Sequence, residues 1–235
     1  MTVIEVLKYG FVGPETDLRL WVWMLVVCAV VGYLIGSINW GVILSHKYGG
    51  DVRNYGSGNA GATNMMRTYG KRAGAKTLGL DILKGTVVSF ACRLIVGTTG
   101  AYIGGFFCII GHAYPVFFRF KGGKGVATIT ALCLWTEWRT FLILVAIYAI
   151  VLFGYKMVSF ASCMVAALYP MILYAFIGPN LGVVIAFLSG ALVVFLHRAN
   201  IVRIFNHTES KLDFHRKKKD ASENNAESAF DKENE

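Results

Sequence analysis

Three dense polar runs interrupt an otherwise apolar chain, and their placement limits what it can fold into. They are Asn54-Tyr-Gly-Ser-Gly-Asn-Ala-Gly-Ala-Thr-Asn-Met-Met-Arg67, Arg119-Phe-Lys-Gly-Gly-Lys-Gly-Val-Ala-Thr128 and His197-Arg-Ala-Asn-Ile-Val-Arg203. Each follows an apolar stretch. With 55% hydrophobic and 16% charged residues, against about 25% charged in a soluble domain, the chain reads as one all-α integral membrane domain with a short polar tail. Glycines, amides, hydroxyls and fixed cations, gathered at one face of a bilayer, are the groups that hold phosphates there.

A helix crosses a bilayer with about 20 apolar residues. The sequence predicts seven spans, at about 20–45, 74–97, 100–118, 124–137, 138–155, 157–177 and 180–197. The second is interrupted by Asp81, Lys84 and Arg93. The fourth is short enough to be re-entrant or half-buried instead. Gly178-Pro179-Asn180 marks a turn. Lysine and arginine concentrate on the cytoplasmic side of membrane proteins. An outer N-terminus and a cytoplasmic C-terminus leave only Lys8, Arg19, Arg93 and Arg139 of the 23 Lys and Arg to the outer side. The three polar runs then all face the cytoplasm. The expected organisation is an extracytoplasmic segment 1–19, a membrane domain 20–210 and a disordered cytoplasmic tail 211–235. The first apolar run is longer than a signal-peptide core and has no small-x-small cleavage site.

A net charge of +9 on such a chain faces lipid headgroups or anionic substrates. Nucleic acid is excluded, because no stacking aromatics interleave with the cations. Five dispersed cysteines without CxxC spacing suggest neither a metal nor a disulfide framework.

In the run Lys121-Gly122-Gly123-Lys124-Gly125, glycines allow close backbone approach to an anion. A helix starting after them aims its amides and dipole at it, with Thr128 one turn beyond Lys124. The GxxxxGK[ST] spacing of nucleotide-binding loops fails here. Ser57, Asn59, Thr63 and Asn64 crowd donors and acceptors into eight residues, and Arg53 and Arg67 supply planar forks for a phosphate. His197 and Asn200 share a helical face, with Arg203 beyond them. His112, between Gly111 and Pro115, sits at a bend beside the glycine loop. His46 and Asp51 spell the H-x4-D pair of acyl-thioester-dependent glycerolipid acyltransferases. The Glu-Gly-Thr/Ser box that accompanies that pair is absent, so the match reads as coincidence.

These residues, with Gly36-Ser37-Ile38, Asp81-x-x-Lys-Gly85 and Gly111-His-x-x-Pro, resemble the bacterial acyl-phosphate:glycerol-3-phosphate acyltransferases over about residues 20–210. The resemblance implies a seven-span enzyme of the bacterial inner membrane with a cytoplasmic active site. It implies acyl transfer from acyl phosphate to the 1-hydroxyl of glycerol 3-phosphate, the first step of phospholipid synthesis, without a cofactor, a metal or an obligate protein partner. On the matching positions it implies catalytic roles for Ser57, His197 and Asn200. Substrate binding falls to Arg53, Asn59, Thr63, Asn64, Arg67, His112, Lys121–Gly125, Thr128 and Arg203. Asn39 departs from the family's usual proline, and His207 from a glycine before Glu209. The rival reading is a membrane transporter of an anionic or phospholipid-like solute, which the lack of internal repeats disfavours.

Overall fold

A computed structural model of the protein describes residues 2–15 and 17–212, so most of the expected tail lies outside the described residues. The described chain is all helical. Apolar helices dominate because a helix satisfies its own backbone hydrogen bonds where lipid offers none. Four stretches are long and apolar enough to cross a membrane, or five if one bent pair counts as a span.

Helix α1 (Val3–Tyr9) is capped by a reciprocal Thr2–Glu5 box, and α2 (Leu18–Gly36) starts on the Asp17 side chain. The expected first span, 20–45, lies within the membrane-length stretch Leu18–His46, with a local interruption near its end. Ser37, Ile38 and Asn39 leave the helix, and Asn39 caps the separate short helix α3 (Trp40–His46). Helix α4 (Ala62–Tyr69) carries the end of the first polar run.

Next, α5 (Lys71–Ala113) is nominally one helix of 43 residues, but Val96 and Gly97 are non-helical. Lys84 reaches His112, and Gly105 and Gly104 pack against Ser89 and Cys92. The element is therefore an antiparallel hairpin with its tip at Gly97, in accord with separate segments at 74–97 and 100–118. Gly97 has φ +68°, and a Cβ there meets the α1 backbone at 2.6–2.8 Å, so the tip needs glycine on both counts. Its second arm packs closely against α2, where Gly32 faces the Gly104 carbonyl and Gly36 that of Cys108. Small residues permit such approach in membranes.

The remaining helices are α6 (Val126–Thr136), α7 (Trp138–Tyr155), α8 (Val158–Ile177, containing Pro170), α9 (Leu181–Leu196) and α10 (Arg198–Phe205). The last two form the bent pair, at 59°. Arg93 ties the hairpin to the Leu7 carbonyl at 2.8 Å and to that of Trp135, so α1, the hairpin tip and the end of α6 share one end of the molecule. All three polar runs lie at the other end. The core between α6, α8, α9 and the hairpin is built from Ile109, Leu132, Tyr169, Leu173 and Ile185, all buried.

Candidate active site

The first polar run is folded around Asn64, which is buried at the start of α4. Its Oδ1 accepts from the Ser57 N–H at 2.9 Å, and its Nδ2 donates to the Val52 and Tyr55 carbonyls at 3.0 and 2.9 Å. Both Nδ2 protons of Asn64 and one lone pair of its Oδ1 are thus used in holding the loop. The side chains of Ser57 and Arg67 are exposed and have no partner among the described residues.

Arg53 also departs from expectation. Its guanidinium grips Asp51 through Nε at 3.0 Å to both oxygens and Nη2 at 2.6 Å, while Nη1 donates to the carbonyls of Phe118 and Lys121 at 2.9 and 3.2 Å. That fork buttresses the second polar run and is not open to a phosphate. The Arg53 hydrogen bond holds the Asp51 carboxyl below the usual range. His46 Nδ1 lies on the Val42 carbonyl at 2.7 Å. The H-x4-D pair is thus committed elsewhere, as the missing box suggested.

The glycine loop is anchored differently from a free anion cradle. Gly122 and Gly123 donate their N–H groups to the carbonyls of Ala113 and His112 at 3.1 and 3.0 Å, and Lys121 N–H to that of Phe118 at 3.3 Å. Those amides are therefore unavailable to a ligand. A Cβ at Gly123 meets His112 Nε2 at 2.1 Å, so the loop lies directly on the imidazole and only glycine fits. Below it, Lys84 Nζ is 2.9 Å from both Asp81 Oδ1 and His112 Nδ1, and it donates to the carbonyls of Gly36 and Ile38 at 3.0 and 2.7 Å. Asp81, Lys84 and His112 are 1%, 5% and 3% exposed. This strut fixes the end of α2, both hairpin arms and, through His112, the glycine loop.

What the loop presents is Lys124 and the start of α6, whose N-terminal cap at Gly125 carries no side-chain hydrogen bond. Thr128 is buried and its hydroxyl donates to the Gly125 carbonyl at 2.8 Å, a local brace for that turn. Lys124 Nζ donates to Asn200 Oδ1. The Asn200 amide is oriented by its Nδ2, which donates to Glu209 Oε1 at 2.7 Å. Glu209 also accepts from Ser159 Oγ and Arg203 Nε, each at 2.7 Å. Burial pushes the Glu209 carboxyl up, but the hydrogen bonds from Asn200, Ser159 and Arg203 outweigh it and hold it below the usual value. Burial pushes the Lys124 ammonium down to about 8, against the opposing pull of Glu209. His197 places Nδ1 on the Val193 carbonyl at 2.7 Å, which assigns the proton to Nδ1 and leaves Nε2 a lone pair.

Lys124, Ser159, His197, Asn200 and Glu209 line one cavity of about 600 Å³. Its polar mouth brings together Ser57, Asn59, Thr63, Arg67, Lys124 and His197, with Asn64, His112, Gly125 and Asn200 also on the wall. Away from the mouth the walls are apolar, built by α6, α7 and α8. A polar end with a lysine, a histidine base and free donors, continued by an apolar groove, suits a ligand with an anionic head and a hydrocarbon tail.

The family model for glycerol-3-phosphate acyltransferase matches residues 26–207. The chain belongs to the glycerol-3-phosphate acyltransferase family. It is 42% identical to the Brucella anthropi glycerol-3-phosphate acyltransferase over 190 residues, covering 80% of this chain and 93% of that one. To the Bacillus subtilis (strain 168) enzyme it is 38% identical, covering 80% and 98%. A crystal structure of PlsY (YgiH), described as an integral membrane glycerol 3-phosphate acyltransferase in its glycerol 3-phosphate form, superposes with a TM-score of 0.78 at 32% identity, over 80% of this chain and 96% of that one. The lysophosphatidic acid form of PlsY gives 0.75 at 31%, over 80% and 95%.

Within this glycerol-3-phosphate acyltransferase, Arg53, Lys121, Gly122, Gly123, Thr128 and Arg203 do not line the cavity. Lys71 and Ser159, which the sequence did not single out, do line it, as do Asp81 and Glu209, which entered only through the resemblance. Asp81 was visible as the charge that a membrane helix does not carry without a partner. His207, at φ +57°, takes the left-handed turn that brings Glu209 back beneath Asn200.

Proposed function

We propose that the protein transfers a fatty acyl group from acyl phosphate to the 1-hydroxyl of glycerol 3-phosphate, yielding lysophosphatidic acid and inorganic phosphate. The observation that carries this reading is the single cavity in which an apolar groove ends at Lys124, His197 and Asn200, opposite Ser57 and Arg67. An acyl phosphate lays its chain in the groove and its phosphate against Lys124 and the first-turn amides of α6. Glycerol 3-phosphate enters from the mouth, with its phosphate on Arg67 and its polyol end on Ser57 and Asn200. Asn59 and Thr63 complete the mouth.

Two anionic substrates meet here, so fixed cations and backbone dipoles must offset their repulsion. Holding the hydroxyl oxygen about 3–3.5 Å from the acyl carbon supplies much of the rate. That oxygen bonds to the acyl carbon, the bond from acyl carbon to phosphate oxygen breaks, and phosphate leaves with the electron pair. The hydroxyl proton passes to His197 Nε2 or to a phosphate oxygen of the donor. The donor is already activated, so neither a covalent intermediate nor a cofactor is needed. Arg53, Asn64, His112, Gly122, Gly123, Thr128 and Arg203 act by positioning, and Lys121 by attracting anions to the mouth.

The same reading extends to topology. Helix directions alternate along α2, the two α5 arms, α6, α7, α8 and α9, which supports seven passes with α6 the short fourth. An outer N-terminus, a membrane domain 20–210 and a cytoplasmic tail from 211 agree with the four outer cations named above. In this reading the active site faces the cytoplasm from the bacterial inner membrane, and the enzyme works without an obligate protein partner. The test is release of inorganic phosphate by purified protein in detergent. Myristoyl phosphate should yield phosphate and lysophosphatidic acid in equal amounts, and only with glycerol 3-phosphate present. Phosphate release without acceptor overturns the transfer reading. A His197→Ala variant with retained turnover and an unchanged pH profile assigns the proton to the donor phosphate.

A further inference from the structure

Away from the polar mouth the cavity is lined by residues spaced along α7 and α8. Along α8, the wall is made by Ser159, Ser162 and Ala166 before the chain reaches Tyr169. The Ser162 hydroxyl donates to the Val158 carbonyl at 2.8 Å, and the side chain adds little bulk to the wall. Tyr169 is 1% exposed and backed by Leu173, Ile185 and Leu132, which are almost fully buried. On the facing helices, Cys133 of α6, beside Tyr169, and Phe141 of α7 also line the cavity.

Resting on the acyl-transfer reading, we infer that Tyr169 and Phe141 are the floor of an acyl-chain ruler and that Ala166 keeps its lower half open. From Ser159, which touches Glu209, to Tyr169 is ten residue steps along α8, about 15 Å at 1.5 Å per residue. From Leu152 to Phe141 on α7 is eleven steps, about 16 Å. A saturated chain of 1.5 Å bonds at tetrahedral angles advances about 1.25 Å per carbon. The groove therefore holds about 12 or 13 carbons beyond the acyl carbon, a chain of about 14 in all. Ala166, seven steps from Ser159, lies about 10 Å down, opposite the eighth carbon or so.

The selectivity is steric. A lipid tail is as apolar as a protein wall, so a chain that enters the groove from the bilayer gains little by burial. What discriminates is the overpacking met by carbons that reach the floor, a penalty large enough to change rates about tenfold or more.

The experiment is a series of saturated acyl phosphates from 10 to 18 carbons, assayed for lysophosphatidic acid formation at fixed glycerol 3-phosphate. The proteins are wild type, Ala166→Phe and Tyr169→Ala in the same detergent. Rates are read as ratios within each protein, so a loss of folded enzyme cancels. Ala166→Phe should lower the ratio of the 14-carbon to the 10-carbon rate about tenfold. Tyr169→Ala should raise the ratio of the 18-carbon to the 14-carbon rate by a similar factor. Wild-type ratios in both variants overturn the ruler. No product from wild type with any chain overturns the acyl-transfer reading itself, and the ruler with it.

Discussion

Lys124 is the cation on which the proposed chemistry depends most, and its surroundings give its removal a characteristic signature. Its ammonium sits half-buried at the start of α6, bonded to Asn200 and facing the Glu209 hub. A charge-assisted hydrogen bond contributes about 1.5–3 kcal/mol. A preorganised donor in a water-excluded site acts on the transition state by about 10²–10³ in rate. Lys124→Met should therefore lower kcat/KM by about 10²–10³. Because burial pushes the Lys124 pKa down to about 8, the sign of the pH effect is fixed. Below that value the group carries its charge and binds phosphate. As pH rises through it the charge is lost and kcat/KM falls. Arginine stays charged throughout, with a pKa above about 12. Lys124→Arg should thus be slower at neutral pH, yet lack the alkaline limb. The assay is the initial rate of phosphate release at sub-saturating glycerol 3-phosphate from about pH 6 to 10. An alkaline limb at the same pH in Lys124→Arg and wild type would refute the reasoning.

Three further outcomes follow from the geometry. Arg67→Ala should raise the KM for glycerol 3-phosphate at least tenfold, since an open guanidinium fork is lost, whereas Arg19→Ala at the opposite end changes little; equal effects contradict the site. Lys84→Met leaves Asp81 as an uncompensated buried charge and should destabilise the protein by about 3–5 kcal/mol. Thermal unfolding in detergent reads that loss, and pairing the variant with Asp81→Asn should restore part of it. Glu209 has a folded pKa below its unfolded value, so the stability it contributes is present above about pH 4.3. That contribution is lost as pH falls through the folded value. Glu209→Gln should flatten the decline of Tm between about pH 5 and 3, and a parallel decline rejects the hub.

Much of this was legible in the sequence because it is local. Runs of apolar residues between turn signals mark Trp138–Tyr155 and Val158–Ile177 almost to the residue. The hairpin was readable despite Asp81, Lys84 and Arg93. What stayed hidden is tertiary pairing. Nothing near Arg53 in the chain says that its fork reaches the carbonyls of Phe118 and Lys121, 65 and 68 residues away. The glycine loop spells a phosphate cradle by its conformational freedom. The carbonyls of His112 and Ala113 take up its amides only once the second hairpin arm is in place. Glu209 looked detached beyond a non-glycine residue, yet the left-handed His207 carries it back to Asn200, Ser159 and Arg203. Ser37-Ile38-Asn39 interrupt the helix within the first span, where the carbonyls of Gly36 and Ile38 are ligands for the Lys84 ammonium 48 and 46 residues on.

The most direct measurement is a donor comparison on the purified protein with labelled glycerol 3-phosphate, offering myristoyl phosphate in one reaction and myristoyl-CoA in another. Labelled lysophosphatidic acid from the acyl phosphate alone is the result the account predicts. Product from the thioester alone would contradict it and return attention to His46 and Asp51.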